Sequence, residues 1–318
     1  MKKIADIIKK HYKKFGTLLM IAAVFFIVKK ILSMDADYSV LFSGKTAVYT
    51  VICMLIQTAV IIFMSIPWLK LVKILSSEQI PYRKALAVYT KSNFLKYVPG
   101  NVFQYIGRNQ LAADMGISHA DVACATVMDI IFSMAAPFTI GLVLVGSGAG
   151  KILEVYGKNF LVAGLAGAAV LLAVILVVFR FRHRFSPTLE KYRKIFMKQN
   201  ISRILLTFMY YLVQNAVTVL MCILALRYII GITQNMSGIL MFSGVYLFSW
   251  IVGFITPGAP GGIGVREAVM MLVCGEQAGS DDIVLFLIVM RVVSVAADTL
   301  AFVVGLVVGA GLKTDDDK

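Results

Sequence analysis

The chain has 318 residues, of which 59% are apolar or aromatic and 15% are charged. A soluble domain carries about 45–50% apolar and about 25% charged residues, and the mean hydropathy here is +0.85. This composition excludes a soluble globular fold, a disordered chain and a disulfide scaffold. The net charge of +14 would suggest nucleic acid in a soluble protein. Here the charges lie between apolar runs, so we expect a lipid bilayer and no nucleic acid as partner.

Six apolar runs are long enough to be candidate membrane-spanning helices. In chain order they are residues 16–32, 46–69, 120–147, 159–180, 203–229 and 282–311. No polar stretch between them is long enough to fold alone. The sequence therefore predicts an all-α polytopic membrane protein, with residues 1–318 forming a single membrane domain.

Two further segments, 82–117 and 237–274, do not read as plain spans. Each has a helix-like stretch, a proline-glycine break and a second short helix-like stretch. Backbone at such a break cannot stay helical, and its polar groups cannot face lipid. We predict two re-entrant helical hairpins; the alternative is a kinked full span followed by an interfacial helix. The predicted breaks comprise Pro99, Gly100, Pro257, Gly258, Pro260, Gly261, Gly262 and Gly264.

The loops divide into positively charged and less charged sets. Residues 1–14, 70–96 and 180–203 carry six, six and eight Lys or Arg, whereas residues 230–236 carry no charge. The positive-inside rule places the rich loops and both termini in the cytoplasm. We expect a multi-pass protein of a bacterial-type plasma membrane.

The two hairpins share a pattern. Pro99-Gly100 is followed by seven residues and Arg108, and Pro257-Gly258 by seven residues and Arg266, an offset of 158 residues. Residues 1–150 and 151–318 each contain about three spans and one hairpin. Because three spans is an odd number, the second half would enter the membrane inverted, as in many secondary transporters. The identities are few, so a chance match is the alternative.

Arginines stand directly after both breaks. The guanidinium group is a planar fork that suits phosphate. Arg108 and Arg266 are therefore predicted to bind a lipid phosphate, with Glu267 tuning that site or pairing with a neighbouring cation. The alternative for both arginines is a structural ion pair.

Three more ionisable residues interrupt apolar runs, and such residues are functional candidates because they are costly in lipid. They are Asp129, Arg291 and Asp298. They either form one buried ion-paired group that fixes helix packing or line the translocation path.

Other polar and aromatic positions receive simpler interpretations. Polar contacts beside Arg108 are expected from Tyr97, Asn101, Gln104 and Tyr105, whereas Trp250 and the tyrosines at 38, 49, 82, 156 and 228 are expected at the membrane interface. The four cysteines are read as buried apolar residues, and the three histidines lie far apart. We predict no catalytic residues, no metal site and no cofactor.

The YVPG segment at 97–100 and the string TPGAPGGIGVREAV at 256–269 resemble the lysylphosphatidylglycerol synthase transmembrane-region family. The resemblance covers essentially the whole chain. The family includes the flippase part of the multiple peptide resistance factor, which is linked to antibiotic resistance. It implies translocation of lipids such as lysyl-phosphatidylglycerol or a polyprenyl phosphate carrier. Full-length members add a soluble aminoacyltransferase domain. Because this chain ends at Lys318, we expect no lysyltransferase activity.

The predicted function is movement of a phosphate-bearing lipid between leaflets, with a membrane phospholipid or polyprenyl phosphate as substrate. The alternative is a membrane subunit or scaffold that serves a separate lipid-modifying enzyme. Homo-oligomerisation stays open.

Overall fold

The structure is a computed structural model that describes residues 44–76, 80–97, 103–146, 198–256, 262, 264–275 and 279–316. Every regular element in these ranges is a helix. They are α1 (Gly44–Phe63), α2 (Ser65–Leu75), α3 (Tyr82–Asn93), a 3₁₀ turn (Phe94–Tyr97), α4 (Phe103–Ala113), α5 (His119–Val145), α6 (Lys198–Leu224), a π-helical segment (Ala225–Ile230), α7 (Met236–Ile255), α8 (Val265–Cys274) and α9 (Ser280–Asp316). Helices satisfy their own backbone hydrogen bonds, as a bilayer requires.

Five helical stretches in the described ranges are long and apolar enough to cross a membrane. They are Gly44–Leu75, His119–Val145, Asn200–Ile230, Met236–Ile255 and Asp281–Ala310. Four of them match predicted spans, and large apolar side chains such as Val143 and Val307 are exposed on their outer faces. The predicted spans 16–32 and 159–180 lie outside the described residues.

The remaining stretch, Met236–Ile255 (α7), differs from the prediction. It lies in the segment 237–274, which was predicted to be a re-entrant hairpin rather than a plain span. Its 20 residues rise about 30 Å, the thickness of the hydrocarbon core. The length of α7, the helix before the break, agrees with the alternative of a full span followed by the break.

The breaks after α3 and α7 are followed by short helices and then by long ones. Gly262 and Gly264 have φ values of +70° and +83°, left-handed conformations in which glycine is favoured. The backbone at these two positions is therefore not α-helical. The other six predicted break residues, Pro99, Gly100, Pro257, Gly258, Pro260 and Gly261, lie outside the described residues.

Helices of the first half pack against helices of the second half. α3 packs along α9, and α7 packs along α5. Glycines permit both close approaches: a Cβ on Gly244 of α7 would lie 3.0 Å from the Leu144 Cβ, and one on Gly305 of α9 would lie 3.2 Å from the Thr90 Cβ. Small residues allow close helix contact where lipid gives no hydrophobic drive between helices. The two helices that precede the predicted breaks, α3 and α7, thus each lie against a helix of the opposite half.

Candidate functional site

The first polar cluster surrounds Arg108 on α4. Its Nη1 donates to Asp129 Oδ2 on α5 at 2.6 Å, and its Nε donates to Ser92 Oγ on α3 at 3.3 Å. The Tyr211 hydroxyl of α6 donates to the other Asp129 oxygen. Arg108 is only 2% exposed. We call these residues the Arg108 cluster; its cation and carboxylate neutralise each other.

Aromatic rings enclose this guanidinium. Its Cζ lies 4.2 Å from the ring centre of Tyr89, 5.7 Å from Trp68 and 5.8 Å from Tyr105. A desolvated cation gains from such contacts with aromatic faces. Burial, pairing and the aromatic enclosure agree with the structural ion pair that the sequence left as the alternative for Arg108.

The second cluster surrounds Asp298 on α9, which is 1% exposed. Its carboxylate accepts from Asn93 Nδ2 at 2.7 Å, from Lys96 Nζ at 2.7 Å and from the Tyr97 hydroxyl. All three donors lie between the end of α3 and the first break. We call these four residues the Asp298 cluster. Tyr97, which was expected beside Arg108, belongs to this cluster instead.

The third cluster contains Arg266 and Glu267 on α8 and Arg291 on α9. Arg291 Nη2 lies 2.7 Å from Glu267 Oε1, and the Gly264 N–H donates to Glu267 Oε2 at 2.8 Å. Glu267 is therefore an ion-pair partner that also caps α8. We call these three residues the Arg266 cluster; its two cations and one carboxylate leave one excess positive charge.

Arg266 itself has no carboxylate partner among the described residues. Its Nε is buried without a hydrogen-bond partner there, and its Cζ lies 5.8 Å from the ring centre of Trp250. Trp250, which was predicted as an interface residue, thus packs beside this cation. The neighbouring break segment, 257–261, has the sequence PGAPG and brings no ionisable side chain.

The expectation that Asp129, Arg291 and Asp298 form one group is wrong. Each takes part in a separate ion pair, with Arg108, Glu267 and Lys96 respectively. Arg291 and Asp298 share one face of α9, but each is paired with a residue from outside that helix rather than with the other.

Aromatic contacts connect the surroundings of the two arginines. The Tyr105 ring lies 6.5 Å from Phe254, and Phe254 stacks on Trp250 at 5.3 Å. Tyr105 contacts Arg108, and Trp250 contacts Arg266. A continuous run of ring contacts through Tyr105, Phe254 and Trp250 therefore links the surroundings of Arg108 to those of Arg266.

A comparison with known families supplies the identification. The model of the family described as lysylphosphatidylglycerol synthase TM region matches residues 15–301. The chain belongs to this family. No curated protein and no solved structure matches it. All three clusters lie within the matched residues.

In this member of the lysylphosphatidylglycerol synthase TM region family, sequence reasoning overlooked several site residues. Four of them were not predicted: Ser92, Asn93, Lys96 and Tyr211. The first three are isolated polar residues near a helix end, which resemble ordinary loop or interface residues. Tyr211 lies in the middle of α6, where one tyrosine in an apolar helix gives no signal. The only available signal was that Ser92, Asn93 and Lys96 lie within nine residues before Pro99-Gly100. Grouping polar residues by their distance from a break would have found these three residues but not Tyr211.

Replacement of Gly253 by alanine is expected to destabilise the protein by about 1–3 kcal/mol, the usual cost of overpacking. Its Cβ would lie 2.9 Å from Arg266 Cγ and 3.0 Å from Gly262 Cα. The second neighbour is backbone and cannot swing away. Thermal unfolding of the purified variant in detergent tests this expectation.

Gly238→Ala is the matched control on the same helix. The nearest neighbour of its Cβ is the flexible end of Gln234, at 2.7 Å, so we expect a smaller loss. Equal losses for the two variants would contradict the proposed tight contact at Arg266.

Proposed function

We propose that this protein moves a phosphate-bearing lipid between the leaflets of the membrane. The observation that carries the proposal is Arg266, whose buried Nε lacks a hydrogen-bond partner among the described residues. An intramembrane cation is costly, and one with no neutralising carboxylate suits an anionic ligand.

The chemistry of the Arg266 cluster favours phosphate. A guanidinium group offers two parallel N–H donors to a phosphate group. Arg266 also lies in the first turn of α8, where the helix dipole favours an anion. The single excess positive charge of the cluster matches one phosphate. Arg266 is the primary ligand in this proposal, because Arg108 is already neutralised by Asp129.

The proposal includes two inverted halves that carry the headgroup between opposite faces. Its support is the exchange of partners between halves: α3 with α9 and α7 with α5. By order in the two halves, α3 corresponds to α7 and α5 corresponds to α9. The pair α3–α9 therefore corresponds to the pair α7–α5. The proposal also places both termini in the cytoplasm, because the loops on that side are rich in Lys and Arg. The tails would stay in lipid while the headgroup crosses the polar interior.

The lipid and the direction of movement are tested together by leaflet exchange in liposomes that contain the purified protein. The panel comprises labelled phosphatidylglycerol, lysyl-phosphatidylglycerol and a polyprenyl phosphate. We expect exchange of one lipid class, a loss of about tenfold or more for Arg266→Ala, and partial retention for Arg266→Lys, which keeps the charge.

Arg83→Ala is the control, because Arg83 is an exposed arginine in the first turn of α3. It should exchange lipid at the parental rate. Absence of exchange for every lipid, with or without an ion gradient, would overturn the proposal in favour of a scaffold. Parental exchange by folded Arg266→Ala would remove Arg266 from the site.

A further inference from the structure

Lys96 is the accessible partner in the ion pair of the Asp298 cluster. It lies in the 3₁₀ turn that leads into the first break. Its side chain is 28% exposed, whereas that of Asp298 is 0% exposed. The ammonium group therefore sits at the edge of the cluster and the carboxylate at its centre.

Asp298 does not depend on Lys96 alone. Asn93 Nδ2 and the Tyr97 hydroxyl also donate to it, and a carboxylate offers about four lone-pair sites. Two donors would remain if Lys96 left. Removal of the ammonium group therefore costs less free energy here than in a simple buried ion pair, in which the cation is the carboxylate's single partner.

The Asp298 cluster adjoins the Arg266 cluster. The Tyr97 hydroxyl, which donates to Asp298, also lies close to Ser294 of α9 and near enough to Arg266 for electrostatic interaction. Arg291, Ser294 and Asp298 occupy one face of α9, and Arg291 and Asp298 are about 10 Å apart along its axis. Lys96 and Arg266 have long side chains that flank this same stretch, one from each half of the chain.

We propose that Lys96 is the second cation of the phosphate site, a role that rests on the proposed function. When a lipid phosphate reaches Arg266, the Lys96 ammonium exchanges its Asp298 oxygen for a phosphate oxygen. Asn93 and Tyr97 keep the carboxylate hydrogen-bonded. The site is then built by both halves, and binding of the headgroup loosens the link between the 3₁₀ turn Phe94–Tyr97 and α9.

The test measures exchange of fluorescent phosphatidylglycerol in phosphatidylcholine liposomes as a function of its mole fraction. Lys96→Met is expected to slow exchange about tenfold at low lipid fraction and to raise the half-saturating fraction, since one charge-assisted hydrogen bond to the ligand is lost. Lys96→Arg keeps a cation and should retain most of the rate. Lys73→Met, at an exposed lysine of α2, should behave as the parent.

The double variant Lys96→Met/Asp298→Asn separates binding from structure. If Lys96 binds phosphate, the double variant stays as slow as Lys96→Met, while Asp298→Asn alone exchanges at least as fast as the parent. If Lys96 serves only to neutralise Asp298, the double variant recovers the parental rate, and the inference is overturned.

Arg266→Ala distinguishes the two levels of the proposal. Slow exchange by Arg266→Ala together with parental exchange by Lys96→Met would overturn the role of Lys96 and leave the proposed function intact. Parental exchange by both variants would count against the phosphate site as a whole.

Discussion

Replacement of Arg108 by leucine is expected to lower the free energy of unfolding by about 3–5 kcal/mol, because it leaves a buried carboxylate without its cation. The side chains of Arg108 and Asp129 are 2% and 6% exposed, so water cannot replace the lost guanidinium. Ser92 and three aromatic rings would also lose their contact. Residues from α2, α3, α4, α5 and α6 meet at this cluster, so the damage would extend over most of the first half.

The measurement is thermal unfolding in detergent with a thiol-reactive dye. Cys53, Cys222 and Cys274 are buried and become reactive when the helices separate. We expect the midpoint of Arg108→Leu to fall by more than about 5 °C, whereas Arg83→Ala should unfold with the parent. A midpoint within 1 °C of the parent, roughly the effect of a neutral surface change, would contradict the structural role.

Removal of both charges offers a stricter control. Arg108→Leu/Asp129→Leu has no orphaned carboxylate, and apolar replacement of a buried pair is often close to neutral. The double variant should therefore be more stable than Arg108→Leu alone. If the double variant is the less stable, the ion pair itself, rather than the uncompensated charge, determines stability.

Replacement of Asp298 by alanine is expected to be the next most damaging change, at about 2–4 kcal/mol. Two neutral donors, Asn93 and Tyr97, would lose their acceptor, and each such buried group costs about 1–3 kcal/mol. Lys96 would contribute less, since its side chain is 28% exposed and an ammonium group near water can be hydrated.

Thermal unfolding of Asp298→Ala and Asp298→Asn separates the hydrogen bonds from the charge. Asparagine keeps one carbonyl oxygen as acceptor, so we expect it to retain at least half of the stability lost in the alanine variant. Limited proteolysis near residues 93–97 should accelerate in Asp298→Ala alone. An asparagine variant as unstable as the alanine variant would mean that the ion pair with Lys96 dominates.

Hydropathy was sufficient to locate most of the helices. The predicted spans 46–69, 120–147, 203–229 and 282–311 coincide with described helices to within a few residues, because a bilayer imposes a minimum length of apolar helix. The segment 237–274 was harder, since the glycines at 258–264 suggested a short hairpin although the helix before them is 20 residues long. A break marks the end of a helix without fixing where that helix began.

The charged residues were found from the sequence, but their partners were not. Asp298 accepts from donors about 200 positions earlier in the chain, and periodicity within α9 carries no information about α3. Arg108 and Asp129 are 21 positions apart, yet the same reasoning placed Asp129 with Arg291. Pairing depends on which helices cross, and one sequence does not encode that in a local pattern.

The contact between α3 and α9 also sets an order of events during synthesis. Asn93 and its acceptor Asp298 are separated by 205 positions. At about 5–20 residues per second, a ribosome needs roughly 10–40 s to make the intervening chain. Throughout that interval Asn93, Lys96 and Tyr97 have no Asp298 to accept their hydrogen bonds. These three side chains must therefore donate to lipid headgroups, water or an insertase until the last helix has been inserted.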